Sequence, residues 1–226
     1  MTMVEIGQIV SKLLFKAGAI HVSRNQPYIL AAGWASPVYV DCRVLLGEPD
    51  LRHTVMDLVA DYVGLAFPPN SFDAIAGAET AGIPFAAWLA ERTNLKLRYV
   101  RKGPLGIGRN AQVEGGPVDG LRVLLIDDLT TDGGSKIAFA RGLRTAGAIV
   151  DHILTIFYHD VFPGAGDRLS DAGLQLHALA TWADILQADI DEGLVPEDRA
   201  EIERFVADPV AWSMWHGGRM SLPPKG

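Results

Sequence analysis

Residues 123–136 read Val123-Leu-Leu-Ile-Asp-Asp-Leu-Thr-Thr-Asp-Gly-Gly-Ser-Lys136. Four consecutive apolar residues are the mark of a strand buried on both faces, as in a parallel sheet. Two carboxylates stand at its end, followed by hydroxyls and glycines at the point where a helix should begin. Glycines let a backbone approach a ligand closely, and the first N–H groups of a helix are unpaired donors suited to an anion. Threonine and serine hydroxyls add further donors. The spacing therefore suits a sugar phosphate, with the phosphate on the loop and Asp127 and Asp128 turned towards sugar hydroxyls, since carboxylates would repel the phosphate itself. The plainer alternative is an acidic pair capping a helix behind a glycine turn. Neither a GxxxxGK[ST] loop nor a dinucleotide fingerprint is present.

The chain around this stretch alternates in the same way. A helix is expected at 3–17, ending at Gly18, and a strand at 37–42. A second helix is expected at 50–66, closed by Pro68 and Pro69. Strand Asp73-Ala-Ile-Ala-Gly77 leads to a helix beginning near Gly82, and a strand at 97–100 leads to a Gly/Pro-rich loop at 103–117. The strand at 122–126 leads to a helix at 134–146 and then to a strand at 150–158. Helical pieces are expected at 181–190 and 196–207. Such alternation predicts an α/β fold with a mainly parallel sheet covered on both faces, where ligands gather at the carboxyl ends of the strands.

Composition narrows the class. The chain has 226 residues, 49% of them hydrophobic, enough to bury a sizeable core without disulfides. Its one cysteine, Cys42, has no internal partner, which fits a reducing compartment. The first residues alternate polar with apolar and open on an acid, unlike a secretory leader, and no apolar run reaches a membrane span. A cytoplasmic setting with no membrane partner is expected. Twenty basic against 27 acidic side chains give a net charge of -7, which argues against a nucleic-acid partner. Only Arg98, Arg101, Lys102 and Arg109 form a basic cluster. The histidines do not cluster at metal-ligand spacing, and the five tryptophans are expected to anchor packing.

The stretch Ile126-Asp-Asp-Leu-Thr-Thr-Asp-Gly-Gly-Ser135 resembles the phosphoribosyl pyrophosphate (PRPP) motif of the type I phosphoribosyltransferases. Three more segments resemble the orotate branch of that family, in its order and spacing: Ser36-Pro-Val-Tyr-Val-Asp-Cys-Arg43, Glu79-Thr-Ala-Gly-Ile-Pro84, and Tyr99-Val-Arg-Lys102 with a glycine-rich loop ending Glu114-Gly115. The tail Asp208-Pro-Val-Ala-Trp-Ser213 with His216-Gly-Gly218 resembles one bacterial branch. The resemblance implies a type I phosphoribosyltransferase fold in one domain over 1–226. Residues 1–45 would form a small N-terminal hood and base-pocket segment, 46–160 the PRPP-binding core, and 161–226 a C-terminal helical portion.

It further implies transfer of a 5-phosphoribosyl group from PRPP to orotate in pyrimidine (UMP) biosynthesis, with Mg²⁺ as cofactor. The metal would be held mainly by PRPP near Asp127 and Asp128, with no direct protein site. Asp127, Asp128, Arg101, Lys102 and Arg109 are the implied catalytic set. Thr130, Thr131, Asp132, Gly133, Gly134 and Ser135 would hold the 5′-phosphate. Glu79, Thr80, Ala81 and Gly82 would hold pyrophosphate together with Arg101 and Lys102, and Gly82 also reads as a plain helix start. Tyr39, Val40, Thr131 and His159 would line the orotate pocket, with Val40 equally readable as strand core and His159 as a strand-end histidine. A homodimer is implied, its 103–113 loop reaching the neighbouring site.

The chain departs from the family in two places. The family's loop pattern Arg-Lys-x-x-Lys-x-His/Phe-Gly becomes Arg101-Lys-Gly-Pro-Leu105-Gly-Ile107-Gly108, so Leu105 replaces a lysine and Ile107 a frequent histidine. Arg109 is a candidate substitute. His159, beside Asp160, stands where some members carry an arginine for the orotate carboxylate. These departures leave two other readings open: the same scaffold with a different acceptor or weak activity, or a PRPP- or nucleotide-sensing regulator.

Overall fold

The structure is a computed structural model that describes residues 1–104, 112–188 and 194–222. In chain order the elements are α1 (Met3–Lys16), β1 (Ile20–Val22), β2 (Tyr28–Ile29), β3 (Ala35–Ser36), β4 (Val38–Val40), a 3₁₀ turn (Cys42–Leu46), α2 (Pro49–Ala66), β5 (Ala74–Ala78), α3 (Gly82–Thr93) and β6 (Lys96–Val100). There follow β7 (Val113–Glu114), β8 (Arg122–Thr130), α4 (Gly134–Thr145), β9 (Ile149–Tyr158), α5 (Ala165–Asp171), β10 (Gln175–Thr181), α6 (Trp182–Gln187), α7 (Pro196–Ala207) and α8 (Pro209–Trp215).

The main sheet has the order β10-β9-β8-β5-β6-β7. Every neighbouring pair is parallel except β6–β7 at the edge. Successive side chains of a strand face opposite ways, and the apolar residues sort accordingly. Ile75, Leu124, Ile126, Leu154 and Ile156 face one buried layer with α1, α2 and α3. Ala74, Ala76, Val123, Leu125 and Ile153 face the other, with α4 and Leu169 of α5. This is the α/β fold expected, a mainly parallel central sheet flanked by helices.

The first helix begins on a capping box: the Glu5 N–H donates to Thr2 Oγ1 at 3.2 Å, and the Thr2 N–H to Glu5 Oε2 at 2.6 Å. Two small antiparallel ribbons, β1–β4 and β2–β3, stand beside the sheet. Buried Trp34, at the β2–β3 turn, stacks on Phe162 with ring centroids 4.7 Å apart. Among the described residues no helix is long and apolar enough to cross a membrane.

Three local expectations need correction. The strand expected at 37–42 is shorter, Val38–Val40, because the Asp41 carboxylate accepts the Arg43 N–H at 3.0 Å and turns the chain into the 3₁₀ segment. The strand expected to end at 126 runs on to Thr130, because Asp127, Leu129 and Thr130 pair with Thr155, Phe157 and Tyr158 of β9. The segment after 160, expected as a helical portion, also supplies a sheet strand, β10.

Candidate active site

The carboxyl end of β8 carries the acidic pair, and both side chains are nearly enclosed. Asp127 is 6% and Asp128 9% exposed. Asp127 Oδ1 accepts the Asp128 N–H at 2.9 Å, and Asp128 Oδ1 accepts the Leu129 N–H at 2.8 Å. Lys136, at the start of α4, donates to Asp127 Oδ2 at 2.5 Å and is itself buried. Burial and the neighbouring Asp127 charge push the Asp128 carboxyl up to about 7. The buried Cys42 thiol is raised by desolvation and then by the same acids, which makes it unreactive.

Beyond the acids the chain forms a tight cradle. Gly133 takes φ +77° and opens α4. A Cβ on it would meet the Leu169 side chain at 2.8 Å, so glycine answers both backbone angle and space. Asp132 turns away from solvent: its Oδ1 accepts the Gly134 N–H at 3.0 Å, and its Oδ2 lies 3.3 Å from Arg168 Nη1. Thr131 is half-buried and Ser135 exposed at the mouth of the cradle. The Thr130 hydroxyl is buried without a hydrogen-bond partner among the described residues. The first N–H groups of α4 add donors that the helix itself cannot satisfy.

A second loop, Glu79 to Gly82, faces this cradle from the end of β5. Its Glu79–Thr80 peptide is cis. A Cβ on Gly82 would lie 2.4 Å from the Ile126 carbonyl oxygen and 3.1 Å from Asp127 Oδ1. Only glycine lets this loop close on the acidic strand. Ala81 caps α3 without a side-chain hydrogen bond. Glu79 ties the loop to the basic pair: its Oε2 accepts the Lys102 N–H at 2.9 Å, and its Oε1 lies 3.5 Å from Arg101 Nη1. Arg101 also reaches Glu114 at 3.4 Å and the Tyr99 hydroxyl at 3.2 Å. The Lys102 side chain is exposed. Leu105, Ile107 and Arg109 lie outside the described residues.

The residues expected around the base divide. Tyr39 is half-buried, its hydroxyl accepting from Arg43 Nη2 at 3.1 Å and its ring 5.6 Å from Tyr28. Val40 is inside the core layer shared with α1 and α2. His159 is 1% exposed, and its Nδ1 accepts the Trp182 indole N–H at 3.2 Å. Burial lowers it to about 3, so it is a neutral ring rather than a cationic partner for an anion. With Nδ1 accepting, the ring proton sits on Nε2.

Lys136 and Arg168 have no role in the sequence reading, and Trp182, expected to anchor packing, also donates to His159. For Lys136 a signal existed: a lysine in the first turn of a helix opposes the helix dipole, and one placed there requires a specific anionic partner. Arg168 and Trp182 lie 36 and 23 residues from the groups they touch, with no local signal.

No family model matches the chain. An orotate phosphoribosyltransferase of Rhizobium rhizogenes is 47% identical over 221 residues, covering 97% of this chain and 95% of that protein. One from Ruegeria is 47% identical over 209 residues, 92% of each. Among solved structures, the orotate phosphoribosyltransferase of Aeropyrum pernix superposes with a TM-score of 0.67 at 33% identity, over 79% of this chain and 97% of that one. The Leishmania donovani UMP synthase superposes with a TM-score of 0.74 at 27% identity, over 89% of this chain and 42% of its own. With relatives this similar along nearly its full length, the chain belongs to the orotate phosphoribosyltransferase family.

Proposed function

We propose that this chain transfers the 5-phosphoribosyl group of PRPP to a ring nitrogen of orotate, giving orotidine 5′-monophosphate and pyrophosphate. The observation that carries the reading is the meeting of the acidic strand end, the glycine cradle and the Glu79–Gly82 loop within one site, held together by the close approach of Gly82 to Asp127. The 5′-phosphate takes the cradle from Thr130 to Ser135, where helix N–H groups, hydroxyls and the nearby Arg168 favour an anion. The Asp127–Asp128 end of the strand faces the ribose hydroxyls. Pyrophosphate lies over Thr80, Ala81 and Gly82 with Arg101 and Lys102 alongside, and Glu79 orients that basic pair instead of meeting the anion. The orotate face is given to Tyr39 with Thr131, and Val40 and His159 support it from the core.

In the reaction the bond from the anomeric carbon to pyrophosphate breaks, and a bond to the orotate nitrogen forms. The ribose gains oxocarbenium character as charge grows on the leaving group. The protein's part is to hold both ends of PRPP in line and to place donors where that charge develops. Among the described residues no group of three or more candidate ligands could hold a metal ion. Mg²⁺, which keeps waters and readily binds through substrate oxygens, would neutralise charge on pyrophosphate, beside the oxygen-rich end of β8. We also propose a homodimer in which the 103–113 loop serves the neighbouring site, and a cytoplasmic location for this biosynthetic step.

The acceptor is tested by pyrophosphate release from PRPP and Mg²⁺ with orotate, uracil, adenine or nicotinate supplied in turn. Release with orotate alone is expected. Release with another base in preference to orotate would overturn the acceptor, leaving the phosphoribosyl donor in place.

A further inference from the structure

The acidic pair holds a cation that ribose binding does not by itself require. Lys136 occupies the first turn of α4, where the helix dipole disfavours it, and is only 4% exposed. Its ammonium lies 2.5 Å from Asp127 Oδ2 and 3.3 Å from Ser135 Oγ. The other Asp127 oxygen accepts the Asp128 N–H at 2.9 Å. Both oxygens of Asp127 are therefore engaged from inside the chain. Asp128 differs: it accepts one backbone N–H, from Leu129, and forms no ion pair among the described residues.

We propose that Lys136 is a positioning residue that divides the work of the pair, fixing Asp127 as an internal anchor and leaving Asp128 as the carboxyl that accepts the ribose hydroxyls. The inference deepens the proposed function and rests on its assignment of a ribose to the end of β8. For Asp127 to accept a ribose hydroxyl with the same oxygens, it would have to loosen a buried charge-assisted bond, which is costly. Asp128 has acceptor capacity to spare. Lys136 also offsets the Asp127 charge beside a polyanionic substrate.

The arrangement makes an unusual demand on mutants. In Lys136→Met a buried Asp127 charge loses its partner and disturbs Asp128. In Asp127→Asn the ammonium loses its partner, and the carboxyl left for it is Asp128, the one the ribose needs. Removing both charges together should restore Asp128, because the amide side chain introduced by Asp127→Asn keeps an oxygen to accept the Asp128 N–H.

The test is steady-state kinetics with PRPP and orotate varied separately, together with calorimetric PRPP binding in Mg²⁺. Each single variant is expected to raise KM and Kd for PRPP about tenfold, as loss of a charge-assisted bond would, and to move KM for orotate by no more than about twofold. The Asp127→Asn/Lys136→Met double variant is expected to bind PRPP more tightly than either single variant, whereas Asp128→Asn loses about a hundredfold in turnover. A double variant as impaired as the worse single variant would overturn the proposal, as would Lys136→Met with an unchanged KM for PRPP. If one single variant does not fold, the double variant, which removes the Asp127 and Lys136 charges together, is compared with the other single variant. Wild-type protein that fails to bind PRPP would remove the functional reading and this inference together. Binding by wild type without recovery in the double variant would remove the inference alone.

Discussion

Gly82 stands where the acidic strand and the Glu79–Gly82 loop touch. A methyl group there would meet the Ile126 carbonyl oxygen at 2.4 Å and Asp127 Cα at 3.0 Å, both backbone atoms that cannot swing aside. Gly82→Ala is expected to cost about 1–3 kcal/mol of stability by overpacking, and to raise KM for PRPP by parting the two halves of the site. Melting and kinetics equal to wild type would show that the loops separate freely. Asp128 gives a pH signature. Its carboxyl is raised from 3.8 to about 7, so the folded state holds that proton more tightly than the unfolded chain does. The resulting stability is fully present below about pH 3.8 and is lost as pH rises through about 7. Asp128→Asn should therefore raise the melting temperature of the ligand-free protein at pH 8 and change it little at pH 5. Equal shifts at both pH values would contradict the raised carboxyl. The acids and the glycine cradle were legible because charge, hydroxyls and glycines coincide in one short stretch. Lys136 lay in the same stretch, yet its role depends on how far β8 continues beyond Ile126, and that is decided by pairing with β9.

The edge strand β10 shows where legibility fails at the next scale. Gln175-Leu-His-Ala-Leu-Ala-Thr181 is short, rich in alanine and poor in β-branched residues, and its intrinsic preference for a strand is weak. Its place is fixed by parallel pairing with β9 and by α1 packed against it. Helices α2 and α7 are legible almost to the residue: both carry proline in the first turn, and α2 has an apolar stripe closed by Pro68 and Pro69. Within β10, His177 Nε2 lies 3.2 Å from His152 Nδ1, with the Phe67 ring 4.8 Å from His177. Burial, and then the His152 charge, lower His177 to about 4. A depressed histidine contributes stability that is fully present above about pH 6.5 and is lost as pH falls through about 4. His177→Phe is expected to reduce the loss of stability between pH 7 and pH 4. An unchanged slope would show that this pair does not drive the acid sensitivity of β9 and β10.

Across the whole molecule the C-terminal segment meets the N-terminal β2–β3 ribbon. The Ala35 N–H donates to Ser213 Oγ at 3.0 Å, the Arg219 N–H to the Gly33 carbonyl at 2.8 Å, and Ser213 Oγ to the Arg219 carbonyl at 2.6 Å. Gly218 packs so closely here that a Cβ would lie 2.3 Å from the Ala35 nitrogen. The tail motif visible in the sequence thus has a physical role, since it holds the turn that leads through Ser36 and Pro37 into Tyr39. Ser213→Ala strands a buried N–H and is expected to cost about 1–3 kcal/mol and to raise KM for orotate more than KM for PRPP. An equal rise in both would place the effect in the core rather than in the β2–β3 ribbon. The proposed homodimer is checked by sedimentation at assay concentrations, where a monomer with full turnover would contradict it.

The most direct measurement is the loss of orotate absorbance on adding PRPP and Mg²⁺ to the purified protein, with Asp127→Asn/Asp128→Asn as control. Turnover by wild type and its abolition in the control are expected. Wild-type protein that binds PRPP yet leaves orotate unchanged would contradict it, as would a control as active as wild type.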